Sequence, residues 1–115
     1  MKQVLQIEYE RFSSPDQLPE DEQRLLTEAM SATQNAYAPY SAFLVGASVL
    51  LSNGEILTGS NQENAAYPSG LCAERTLLFS AGIAGKATKI RKLAIRAKTE
   101  RVVLQQPVYP CGACR

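Results

Sequence analysis

The sequence has no histidine. Zinc, if bound, must rely on cysteine or carboxylate, because imidazole, its commonest nitrogen ligand, is absent. Long apolar runs are missing as well: no stretch approaches the roughly 20 residues needed to cross a bilayer. The opening "MKQVLQIEYERF" lacks the apolar core of a signal peptide, so a cytoplasmic protein is expected. There is also no excess of one charge, since 12 basic residues oppose 11 acidic ones for a net +1. Without a Lys/Arg block to follow a phosphate backbone, neither nucleic acid nor a membrane surface is an expected partner. The cysteines number only three, an odd count that suits reduced thiols better than a disulfide framework.

What remains is the composition of one soluble domain, 115 residues long and 45% hydrophobic. Residues 1–19 read as an N-terminal arm, strand-like because Leu5, Ile7 and Tyr9 alternate with Gln6, Glu8 and Glu10. Residues 20–115 read as the domain proper. Acids following "SSPDQLP" open a helix whose apolar face recurs at Leu25, Leu26, Ala29, Met30, Thr33 and Ala36, and Pro39 ends it. "FLVGASVLL" and "SNGEILTGSN" predict an antiparallel pair turning at Asn53-Gly54 in a two-residue hairpin. A helix from Cys72 to Ala81 and a buried strand from Lys92 to Ala97 follow. The expected fold class is α/β: one mixed β-sheet with helices packed on it.

Chemistry concentrates in "LCAERTLLF" and the terminal "PCGACR". Cys111 and Cys114 form a Cys-x-x-Cys pair, suited either to one metal ion or to dithiol–disulfide cycling. Cys72 lies 39 positions earlier and can join them if the two helix starts are adjacent. Three protein ligands with a vacant fourth position mark catalytic zinc, whereas a structural site closes its tetrahedron. Glu74 follows Cys72 by two residues, where a carboxylate outside the coordination shell can move protons. Arg75 can donate to ligand sulfurs and offset the formal charge of three thiolates on a dication. A non-catalytic zinc-stabilised module and a redox protein are the rival readings.

The segments "YAPYSAFLVGA", "GSNQENAAYPSGLCAER" and "PCGACR" together resemble the cytidine deaminases of pyrimidine salvage. That resemblance implies the cytidine deaminase sandwich fold and hydrolysis of cytidine and 2′-deoxycytidine to the uracil nucleosides, by a homotetramer with one Zn2+ per subunit. It makes Cys72, Cys111 and Cys114 the zinc ligands and Glu74 the proton shuttle. Asn61 and Glu63 correspond to ribose contacts, Phe43 to an aromatic near the pyrimidine and Ala73 to backbone contacts with the base. Ala65 and Tyr67 match positions presented to a neighbouring subunit. The family also continues past the second cysteine of the pair with a helix and further strands, so these 115 residues are expected to be an incomplete domain lacking them.

Overall fold

The computed structural model describes residues 1–115. Pro15–Gln17 form one 3-10 turn, and Pro19 then introduces helix α1, Glu20–Ala32, with Glu20, Asp21 and Glu22 in its first turn. Acids there complement the free N–H groups of the helix start. Leu25, Ala29 and Ala32 recur at spacings of four and three, and they are the residues that α1 buries. The α-helix ends at Ala32, earlier than the apolar pattern implied, and tightens into a 3-10 turn over Thr33–Asn35.

Three strands follow from the β-rich runs: β1 Leu44–Leu51, β2 Ile56–Ser60 and β3 Ile90–Lys98, with helix α2 Ala73–Ile83 between the last two. The strand order is β2-β1-β3, and both ladders are antiparallel, with Ala47 opposite Gly59 on one side and Ile95 on the other. The α/β class stands, but the sheet built by these residues is antiparallel rather than mixed. The hairpin turn also differs. Leu51 N–H bonds to the Glu55 carbonyl at 2.9 Å, so Ser52, Asn53 and Gly54 lie between the paired ends. Only Gly54 has positive φ, at 87°, whereas a two-residue turn on Asn-Gly needs it at both positions.

The sheet is covered on both faces. Ala47, Val49 and Leu51 pack against Ala73 and Leu77 of α2, forming the buried core. On the opposite face the sheet meets α1: a Cβ at Gly46 would lie 1.8 Å from the Ala29 carbonyl oxygen, and Ser48 Oγ donates to the Leu25 carbonyl at 2.6 Å. Lys92 of β3 pairs with Asp21 at 2.9 Å and Glu22 at 3.3 Å, tying the start of α1 to the sheet.

The N-terminal arm departs from expectation. Residues 1–12 form no strand, and Leu5, Ile7 and Tyr9 are all exposed. Alternation makes a segment able to half-bury itself in a sheet, but a strand exists only where a neighbour supplies the ladder. Here none does.

Candidate metal and substrate site

Cys72 is the N-cap of α2, with extended backbone (φ −70°, ψ 158°) and no side-chain cap bond of its own. Its sulfur is therefore free for another role. Two contacts fix where α2 begins. Thr76 Oγ1 donates to the Ser60 carbonyl at 2.9 Å, and Gly59 lets β2 run so close that an added Cβ would fall 2.7 Å from Leu77 Cβ. Gln62 and Leu71 exchange both backbone hydrogen bonds at 2.9 Å, which steers the chain into Cys72.

At the other end, Cys111 and Cys114 sit on one helical turn, closed by N–H groups of Cys114 at 3.1 Å and Arg115 at 3.2 Å donating to the Cys111 carbonyl. The turn brings its two sulfurs to 3.6 Å, and Cys111 Sγ is 3.7 Å from Cys72 Sγ. All three sulfurs lie within 4.8 Å of one another. Tetrahedral zinc with Zn–S bonds of about 2.3 Å requires sulfurs about 3.8 Å apart, so the donor set fits that ion.

Thiol chemistry agrees. Hydrogen bonds from the Cys114 backbone and thiol, and from Cys72, lower Cys111 from 9.0 to about 7. Cys114 moves the opposite way, pushed up to about 12 by burial first and then by the neighbouring thiols and Glu74. Three sulfurs so close cannot all ionise without a cation among them. Arg75 supplies part of that charge: its Nη2 reaches Cys72 Sγ at 3.6 Å, and the Cys72 and Cys114 sulfurs raise its pKa. Its Nε is buried without a partner. Glu74, next to it on the first turn of α2, is 6% exposed.

A cavity of about 730 Å³ opens beside the thiols. Phe43, Asn61, Glu63, Ala65, Tyr67 and Ala73 all line it, and so do Glu74, Arg75, Cys72 and Cys111. Asn61 is buried, accepting from Val45 N–H and donating to the Phe43 carbonyl, both at 2.9 Å. Glu63 accepts from the N–H groups of Tyr40 at 3.0 Å and Ser41 at 3.1 Å, and from the Ser41 hydroxyl. The Ser41 hydroxyl first, then the two backbone groups, holds its carboxyl below the ordinary value. The lining residues that escaped the sequence reading include Tyr40, Ser41, Val108 and Tyr109. Ser41 and Tyr40 adjoin Phe43 in "YAPYSAF", and Tyr109 stands two residues before Cys111, so proximity to residues already singled out was the available signal.

The sequence pattern of the cytidine and deoxycytidylate deaminase zinc-binding region matches residues 19–115. The chain belongs to this family. A cytidine deaminase of Halalkalibacterium halodurans is 46% identical over 95 residues, covering 83% of this chain and 67% of the relative. One from Sporosarcina psychrophila is 44% identical over 95 residues, covering 83% and 65%. The crystal structure of cytidine deaminase from Burkholderia pseudomallei superimposes with a TM-score of 0.71 at 42% identity, over 79% of this chain and 68% of that one. That of Mycobacterium tuberculosis gives 0.67 at 34% identity, over 79% and 69%. The fold is thus that of the cytidine deaminases, and this chain spans about two thirds of their length. Ala65 and Tyr67, which line the cavity, are both exposed, Tyr67 at 90%.

Proposed function

We propose that the chain carries the zinc and substrate site of a cytidine deaminase that hydrolyses cytidine and 2′-deoxycytidine to uridine and 2′-deoxyuridine, releasing ammonia. The observation that carries this reading is the convergence of three thiols, one buried carboxylate and one cavity. Cys72, Cys111 and Cys114 would hold Zn2+, which would supply the Lewis-acid chemistry that makes water a nucleophile near neutral pH. Glu74 is the group placed to move protons: it would take one from the attacking water and deliver it to ring N3 as the water oxygen bonds to C4, then take the proton of the new C4 hydroxyl and pass it to the amine, so that ammonia leaves as the C4 carbonyl forms.

The remaining residues orient the nucleoside. Phe43 gives the pyrimidine an apolar neighbour, the Ala73 backbone at the start of α2 offers N–H groups to the base, and Asn61 and Glu63 face the sugar. Arg75 offsets the thiolate charge that would otherwise hold the water's pKa high. The family resemblance assigns Ala65 and Tyr67 to a neighbouring subunit's site and the protein to a homotetramer, and the exposure of both residues is compatible with that reading. Reduced thiols fit a cytoplasmic enzyme of pyrimidine salvage acting on free nucleosides.

Cytidine and cytidine monophosphate, followed by ultraviolet absorbance, test this directly. A carboxylate at the sugar accepts a hydroxyl but repels a phosphate, so cytidine is expected to react and the monophosphate to react far more slowly. No loss of cytidine, or equal rates on the two, would overturn the reading.

A further inference from the structure

Between α1 and β1 the chain passes through Tyr40, Ser41, Ala42 and Phe43 without regular structure, yet each of these residues is held. Glu63 Oε1 accepts the N–H groups of Tyr40 and Ser41 at 3.0 and 3.1 Å, and the Ser41 hydroxyl donates its only proton to Oε2. The same hydroxyl oxygen accepts the Phe43 N–H at 3.1 Å. Ala42 between them has φ 56°, the one non-glycine residue with positive φ. That conformation costs an alanine about 1 kcal/mol or more and persists only where neighbours enforce it. Here the neighbours are Ser41 on one side and, on the other, Phe43, whose carbonyl is fixed by Asn61 at 2.9 Å.

An ionised carboxylate offers about four acceptor sites. Three on Glu63 are already occupied, and Glu63 lines the cavity together with Ser41 and Phe43. We propose that Ser41 is a positioning residue: its hydroxyl turns Glu63 so that one acceptor site alone remains for a sugar hydroxyl, and its oxygen sets Phe43 by the same bond pair. The inference rests on the sugar-side role given to Glu63 above and adds to it the group that determines selectivity. Without the Ser41 hydroxyl, Glu63 keeps its charge and the two N–H groups on Oε1, but nothing then fixes Oε2. Cytidine should then lose the advantage that its ribose hydroxyls confer, while any loss at the base through Phe43 falls equally on a ligand lacking them, so that the ratio of the two affinities reports Glu63.

Calorimetric titration of the zinc-loaded chain provides the test, in a Glu74→Gln background so that ligand is not consumed. Cytidine and 2′,3′-dideoxycytidine are the probes, and the ratio of their dissociation constants is the readout. We expect Ser41→Ala to reduce that ratio about tenfold and Ser41→Thr, which keeps the hydroxyl at an exposed position, to restore it. Glu63→Gln should reduce it similarly, and adding Ser41→Ala to Glu63→Gln should reduce it no further, since both changes break one unit. A ratio unmoved by Ser41→Ala, with both ligands weakened equally, would show a merely structural role and overturn the inference alone. Additive losses in the double variant would do the same. A parent that binds no cytidine would overturn the functional reading and this inference with it.

Discussion

Glu63 links charge to local order. Its carboxyl lies below the ordinary 4.5, chiefly through the Ser41 hydroxyl, so the ionised form is favoured in the folded loop. For an acid with a lowered folded value, the stabilisation is present above the unfolded value and is lost as pH falls through the folded one. The Tyr40–Phe43 loop should therefore stay ordered from neutral pH down to about 5 and loosen below the ordinary glutamate range. Protection factors of the Tyr40 and Ser41 amides report this; protection unchanged at pH 3 would contradict it. Glu74 differs in kind, because the role proposed for it is proton transfer, on which nothing in the fold depends. Glu74→Gln should keep the metal and lose about 10²–10⁴-fold in turnover of cytidine, and near-normal turnover would remove Glu74 from the chemistry. Both residues were legible in the sequence, Glu74 by its place beside Cys72 and Glu63 through family resemblance. The clamp on Glu63 was not, since the partner serine lies 22 positions away and nothing in its type announces a hydrogen bond.

Among the elements, those with a strong local period emerged near their expected places. α2 begins one residue after Cys72, and β3 exceeds the predicted Lys92–Ala97 by two residues at its start and one at its end. Local patterning failed where a partner decides the outcome. The arm has a strand's alternation without a strand's neighbour, and the Asn53-Gly54 turn took three residues because Asn53 kept negative φ. The left-handed Ala42 had no sequence signature at all, since alanine is an unusual choice there. Two glycines separate packing from propensity. At Gly59 in β2 an added Cβ would meet Leu77 Cβ at 2.7 Å and Leu77 N at 2.8 Å, whereas at Gly82 in the last turn of α2 it would meet nothing within 4 Å. Gly59→Ala should destabilise by about 1–3 kcal/mol and displace the helix that presents Cys72. Gly82→Ala should stabilise by up to about 1 kcal/mol. Urea unfolding of the two variants distinguishes them; equal effects would mean that α2 does not sit against β2 as described.

On the scale of the whole molecule, the radius of gyration is 15.1 Å, above the roughly 13 Å of a compact domain of this length. The excess reflects the exposed arm and the irregular chain after β3, where Val102, Val103 and Tyr109 stand open to solvent. β3 is an edge strand with Leu93 41% exposed, and α2 leaves Phe79 and Ile83 uncovered. Bare edges and apolar patches of this kind recruit other chains. Self-association is expected, and light scattering that finds a monomer at high micromolar concentration would contradict it. The central claim, however, is that three cysteines from distant parts of the chain hold one metal ion beside Glu74. Metal content per chain, measured by mass spectrometry on the parent and on Cys72→Ala, tests it most directly. The account predicts about one zinc per parent chain and its loss from the variant, because the two sulfurs of Cys111 and Cys114 alone leave tetrahedral zinc two ligands short. Zinc content unchanged in Cys72→Ala would contradict it.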